Sequence, residues 1–182
     1  MKTKVILLTF AIGCIIGLLS CQKPTATIFK DETTKNKAVA EKIFKAFDEG
    51  NADALDSFIV SNPIDHTEMP PEIKSTGLAA IKEMCKMQKA AFPDMKSTIN
   101  SMIAERDMVA IYFTSEATNN GPFMGKPATG KHIKTDGIDI IKFKDGKAVE
   151  HWGVYDNLKM MQQLGVIPEM KPTTKSDSVT KK

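Results

Sequence analysis

The segment Gly121–Asp156, GPFMGKPATGKHIKTDGIDIIKFKDGKAVEHWGVYD, decides how the chain folds. Up to Gly130 it is rich in glycine and proline and reads as a loop. Apolar residues then recur with a period of two on either side of Asp145-Gly146, so Ile133–Phe143 and Lys147–Tyr155 read as the strands of a β-hairpin. Both late acid/base candidates, Asp139 and His151, lie on that hairpin. Which way they point separates a working site from a plain pocket.

Outward from the hairpin, the same period marks two earlier strands, Lys96–Ala104 and Met108–Ala117, separated by Glu105-Arg106-Asp107. Before Pro93 the period is helical. Leu78, Ile81, Met84, Cys85 and Gln88 place a helix over Leu78–Phe92, and Val39, Ile43 and Phe47 place another from Thr34 to its stop at Gly50. Ala52–Phe58 reads as a short helix, Ser61-Asn62-Pro63 as a break, and Ile64–Met69 as extended chain. Asp156 suits the N-cap of a last helix, Leu158–Leu164, with Gly165 as its stop. Helices gathered early and antiparallel strands gathered late predict an α+β fold, with helices covering one face of a curved sheet.

The ends of the chain read differently. Lys2 and Lys4, the apolar run Val5–Leu19 and the small Ser20 form a secretory leader over residues 1–20, too short for a comfortable membrane span. Leu18-Leu19-Ser20-Cys21 resembles a lipobox, in which Cys21 is acylated and tethers the chain to a membrane. Gln22 after that cysteine carries no inner-membrane retention signal, which points to the outer membrane. Residues 21–33 read as a polar tether, 34–166 as the domain, and 167–182 as a disordered tail. With Cys14 in the leader and Cys21 carrying lipid, Cys85 has no disulfide partner and reads as a buried, inert thiol.

The 182 residues carry a formal net charge of +3. Loss of Lys2 and Lys4 with the leader leaves about +1, which argues against a nucleic-acid footprint. His66, His132 and His151 lack metal-ligand spacing, and no cofactor motif is present. Gly125–His132 nearly spells a phosphate-binding loop. However, His132 stands where Ser or Thr should be, and a strand follows where a helix is needed.

GPFMGKPATG, GIDIIKFKDGKAVEHW and the closing QQLG, with His66 and Phe92-Pro93-Asp94, resemble the SnoaL-like polyketide cyclase, or ester cyclase, group of the NTF2-like superfamily. The resemblance covers roughly Lys35–Gly165. It implies a cone, in which a strongly bent antiparallel sheet wraps around helices and leaves an apolar cavity. Polyketide cyclases of this type use an aspartate on the last strand, faced by a histidine from the strand before. Alignment on Asp145-Gly146-Lys147 and Leu164-Gly165 puts Asp139 at the histidine and Gly153 at the aspartate. His151 and Asp156 match family positions that are not the principal acid/base.

Two registers fit the hairpin. A type I turn at Lys144-Asp145 with Gly146 as a left-handed bulge pairs Asp139 with His151. It puts Gly137, Asp139, Ile141, Phe143, Val149, His151, Gly153 and Tyr155 on one face. A two-residue Asp-Gly turn sets Asp139 opposite Trp152 instead. The first is preferred, because it places both family positions on one face.

Three functions remain open on this reading. The first is a membrane-tethered domain binding a small, largely apolar molecule, with Tyr112, Ile141, Phe143, Gly153 and Tyr155 around it. The second is an enzyme moving a proton at an enolisable carbonyl. There His151 is the base, Asp139 orients it, and His66 polarises the oxygen, with Tyr112 as another donor. The third is a structural or partner-binding lipoprotein, paired as a homodimer through the outer sheet face near Trp152.

Overall fold

The computed structural model describes residues 25–169. Cys21, the leader and nearly all of the tail lie outside them. The first helix, α1, runs from Thr25 to Glu49, starting earlier than the expected Thr34. No glycine or proline interrupts it, and residues 25–33 therefore belong to a helix rather than an irregular tether. A 3-10 turn at Ala52–Ser57, capped by Asn51, leads into strand β1, Ile59–Asp65. Helix α2 spans Gly77–Ala91. Strands β2 (Lys96–Glu105), β3 (Met108–Thr118), β4 (His132–Lys144) and β5 (Lys147–Tyr155) follow, and α3 (Asn157–Gln163) closes the domain.

The five strands form one sheet in the order β1-β5-β4-β3-β2. All pairings are antiparallel except β1 with β5, which is parallel. Pro63 therefore sits inside a strand, where a break was expected. It is tolerated because β1 is an edge strand, and its register with β5 is irregular between Ile59 and Ile64. α1 and α2 cover the inner face. Ala40, Leu55, Cys85, Val109 and Ile111 are fully buried there, and Phe44 meets Phe113 edge to face at 4.8 Å. Cys85 lies in this core, its Sγ 3.7 Å from the Ala46 carbonyl, and burial pushes its thiol up, away from the reactive thiolate. On the outer face Tyr112, Ile138 and Val154 pair directly across β3, β4 and β5 and stay exposed.

The β4–β5 hairpin corrects the preferred register. Asp145 and Gly146 both have positive φ (52° and 76°), so the turn is the two-residue type I′ form, and Lys144 pairs with Lys147. A separate bulge follows: Phe143 pairs with Ala148, but Lys142 pairs with Glu150, leaving Val149 as the extra residue. Beyond it Ile141 faces His151 and Asp139 faces Gly153. The bulge keeps Asp139, His151, Gly153 and Tyr155 on one face despite the two-residue turn. It also replaces Val149 with the buried Ala148 on that face.

The glycine-rich loop is held by Asn119, only 1% exposed. Its Nδ2 donates to the Gly121 carbonyl at 2.8 Å, and its Oδ1 accepts from the Thr129 N–H at 2.8 Å and the Thr129 hydroxyl at 3.0 Å. The loop carries Phe123 and Met124 to the cavity wall. Asn119→Ala leaves buried partners unsatisfied, so a loss of about 2–4 kcal/mol is expected in urea unfolding. A loss below about 1 kcal/mol would show that the loop is held by other contacts.

Candidate functional site

Between the inner face of the sheet and the helices lies a cavity of about 750 Å³. Its wall is largely apolar: Ile43, Phe44 and Phe47 from α1, Ile81 and Met84 from α2, and Phe113 and Ile141 from the sheet. The volume falls in the range of small-molecule sites. Polar groups concentrate where β4, β5 and the end of β1 meet.

His151 is the centre of that cluster. Asp139 stands one step diagonally across the ladder, and its Oδ1 lies 3.3 Å from His151 Nε2. The parallel pairing sets Asp65 beside His151 from the other flank, with Asp65 Oδ1 at 3.1 Å from Nδ1. Asp65 is itself fixed, since the same oxygen accepts from the Thr67 N–H at 2.9 Å and the Thr67 hydroxyl at 2.7 Å. Burial opposes charge on the imidazole. Asp139 and Asp65 outweigh it and hold His151 up to about 9. Burial also opposes charge on Asp65, but bonds from His151 and Thr67 carry its carboxyl below the usual range.

Tyr155 completes the cluster, and two glycines make its position possible. A Cβ at Gly153 would stand 2.7 Å from Tyr155 Cζ and 3.0 Å from Asp139 Oδ1, and would run into the Tyr155 hydroxyl. A Cβ at Gly137 would stand 2.6 Å from Phe113 Cζ and 3.0 Å from Tyr155 Cδ1. With both side chains absent, Tyr155 folds back along its own strand and brings its hydroxyl beside Asp139. Burial and the Asp139 carboxylate push that phenol well above its ordinary value, so it keeps its proton.

The candidates read from sequence divide accordingly. Asp139, His151, Gly153, Tyr155 and Ile141 all line the cavity. Phe143 does not; at 3% exposure it fills the closed core. Tyr112 is 43% exposed on the outer face, because the period of two that buries Ile111 and Phe113 turns it away. His66 follows β1 at the mouth, yet its imidazole stacks on Trp152 at 4.7 Å and bonds Glu150 Oε1 at 2.9 Å. His66 thus lines the cavity from its mouth, paired with Glu150 and Trp152 rather than with the cluster around His151. Asp65, its neighbour, is the residue that sequence reasoning missed. Alternation around His66 was the only local signal for it, and the parallel partner β5 is remote in sequence. Asp156 serves as the N-cap of α3, its Oδ1 accepting from the Lys159 N–H at 3.0 Å. Among the described residues no cluster of His, Cys, Asp and Glu is arranged to hold a metal ion.

The shift at His151 has a definite sign. Its folded value of about 9 lies above the ordinary imidazole value of 6.5, so its stabilising contribution is whole below pH 6.5 and is lost as pH rises through 9. The shift corresponds to about 3 kcal/mol at most. Urea unfolding from about pH 6 to about pH 10 should show the wild type losing stability that His151→Gln does not lose. Parallel curves would reject the carboxylate clamp.

No curated protein matches the chain. Solved structures do. TsrD from Streptomyces laurentii superposes with a TM-score of 0.67 at 23% identity, over 74% of this chain and 97% of its own. AclR from Streptomyces galilaeus, a candidate hydroxylase, gives a TM-score of 0.67 at 26% identity over 77% of this chain and 87% of its own. A candidate polyketide cyclase from Acidithiobacillus ferrooxidans gives a TM-score of 0.60 at 30% identity over 72% of this chain and 95% of its own. The profile of the SnoaL-like polyketide cyclases matches residues 37–164. With the curved five-stranded sheet and its helices, that match makes the chain a member of the SnoaL-like polyketide cyclase family, of NTF2-like fold.

Proposed function

We propose that this SnoaL-like domain binds a small, largely apolar molecule in its cavity while tethered to a membrane. The observation that carries the reading is the cavity itself. It is open, walled by apolar side chains, and has its polar groups gathered at one place, as ligand sites do. A filled core would have favoured a structural protein. Native mass spectrometry of the chain purified from its own membranes should find a non-covalently held small molecule. Met84→Trp and Ile141→Trp, which put bulk into the cavity, should each lose it. An unliganded wild type, or ligand retained by both variants, would count against the cavity as the binding site.

The Asp65–His151–Asp139–Tyr155 cluster favours a second reading, proton transfer at an enolisable carbonyl compound. The roles differ from those expected of the sequence. Both nitrogens of His151 face carboxylates, so neither is free to act as a base. Asp139 Oδ1 has no aligned hydrogen-bond donor and is the candidate base, with the Tyr155 hydroxyl as donor to the developing oxyanion. Deuterium exchange at the acidic carbon of a 1,3-dicarbonyl probe, followed by NMR, tests this. Asp139→Asn should slow protein-catalysed exchange by about 10²-fold or more. Equal rates in wild type and variant remove the enzyme reading and leave ligand binding in place.

The tether rests on the sequence alone: the basic start, the apolar run to Leu19, and Leu18-Leu19-Ser20-Cys21. Among the described residues no helix is long and apolar enough to cross a membrane. Labelling cells with a fatty-acid analogue should tag the wild type and leave Cys21→Ser untagged; label on the variant would refute acylation at Cys21.

A further inference from the structure

We infer that the cavity selects a ligand carrying a protonated amine on its apolar body, with the ammonium set against Asp139. This deepens the binding reading above and rests on it.

The argument starts from charge at the wall. Asp65 and Asp139 share a single imidazole, at 3.1 and 3.3 Å. Even with His151 protonated, two carboxylates against one cation leave a net charge of −1; with His151 neutral the charge is −2. The side chains involved are 16%, 13% and 22% exposed, and the walls around them are apolar. An unbalanced charge in such a place is costly unless something pairs it.

No residue of the site does so. Asp65 is occupied by Thr67 and His151. Asp139 has His151 Nε2 at 3.3 Å and the Tyr155 hydroxyl beside it, but its buried Oδ1 has no aligned hydrogen bond, and a phenol that keeps its proton brings no positive charge. The other titratable lining residues are Glu68, Asp136, Glu150 and Asp156, all acidic, and His66, whose Nε2 is taken up by Glu150 at 2.9 Å; among the described residues that line the cavity there is no lysine or arginine. Lys142 and Lys159 approach the cluster only as far as Glu150 (3.6 Å) and Asp136 (3.9 Å).

An ammonium group meets both needs. Its charge balances the triad, and its N–H donates to Asp139 Oδ1. The rings of Tyr155, Phe113 and Phe44 run away from that point in edge-to-face contact, at 6.3 and 4.8 Å between centroids, and suit an apolar or aromatic body attached to a cation. A carboxylate or phosphate ligand would add to the net negative charge of the triad.

A matched series tests this: 4-phenylbutylamine, 4-phenylbutan-1-ol and 4-phenylbutanoate, titrated calorimetrically at neutral pH into the full chain in nanodiscs, with empty nanodiscs as the blank. The amine should bind about tenfold or more tighter than the alcohol, and the carboxylate weakest of the three. Asp139→Asn should bring the amine to within about threefold of the alcohol. Asp65→Asn removes the same unit of charge and serves if the first variant does not fold. An alcohol that binds as tightly as the amine overturns the inference and leaves the cavity reading standing, as does an amine preference that survives both substitutions. Failure of all three probes to bind overturns both.

Discussion

Val149 is the extra residue of a bulge, and it sets which side chains of β5 face the cavity. With a two-residue turn and no bulge, the ladder would carry Glu150 and Trp152 inward and send His151 out to solvent. One unpaired residue, Val149, opposite the step from Lys142 to Phe143 reverses that for the rest of the strand. Because side chains alternate strictly, the correction passes undiminished along β5 to Gly153 and Tyr155. β1 depends on it as well, since Asp65 reaches His151 only while His151 points inward. The hydrophobic face enforces the choice. Ala148 and Phe143 are buried on the near side of the bulge and Ile141 on the far side, so a slipped register would expose core residues.

Gly153 takes on a meaning that its family position alone does not give. The resemblance placed an aspartate there and a histidine at Asp139. In this chain the carboxylate stands on the facing strand, at Asp139, and the space beside Gly153 is filled by Tyr155 from two residues along. The cross-strand pair Asp139–Gly153 thus still presents one carboxylate to the cavity. Its neighbours are a phenol on one side and, on the other, an imidazole set between two carboxylates. A side chain restored at Gly153 would displace the Tyr155 hydroxyl before meeting any ligand.

Local signals carried most of the fold. The helical stripe around Ile43 and Phe47, the one around Ile81 and Cys85, and the strand alternation from Lys96 onward all report on the chain within one or two turns of themselves. The misses are of another kind. The stretch before Thr34 lacks an apolar stripe, so nothing in its pattern marked the helix that continues through it. Pro63 signals a break in any central strand, and only the edge position of β1 permits it. Asp145 at positive φ fixes the two-residue turn, but Val149 carries no bulge signature of its own; the burial of Ala148 in the core and its N–H donated to the Phe58 carbonyl select it. Asp65 was hidden for the same reason, because it joins the site through a parallel pairing with a strand more than eighty residues away.

In the proton-transfer reading, the charge state of His151 limits which reaction the site can perform. Held near 9, the imidazole already carries its proton at neutral pH and has none to accept. The base must then be Asp139, a carboxylate whose neighbours are an imidazolium and a phenolic hydroxyl. In that reading the base and the phenolic donor stand side by side on one wall of the cavity, so a substrate must present its acidic carbon and its carbonyl oxygen to that same wall.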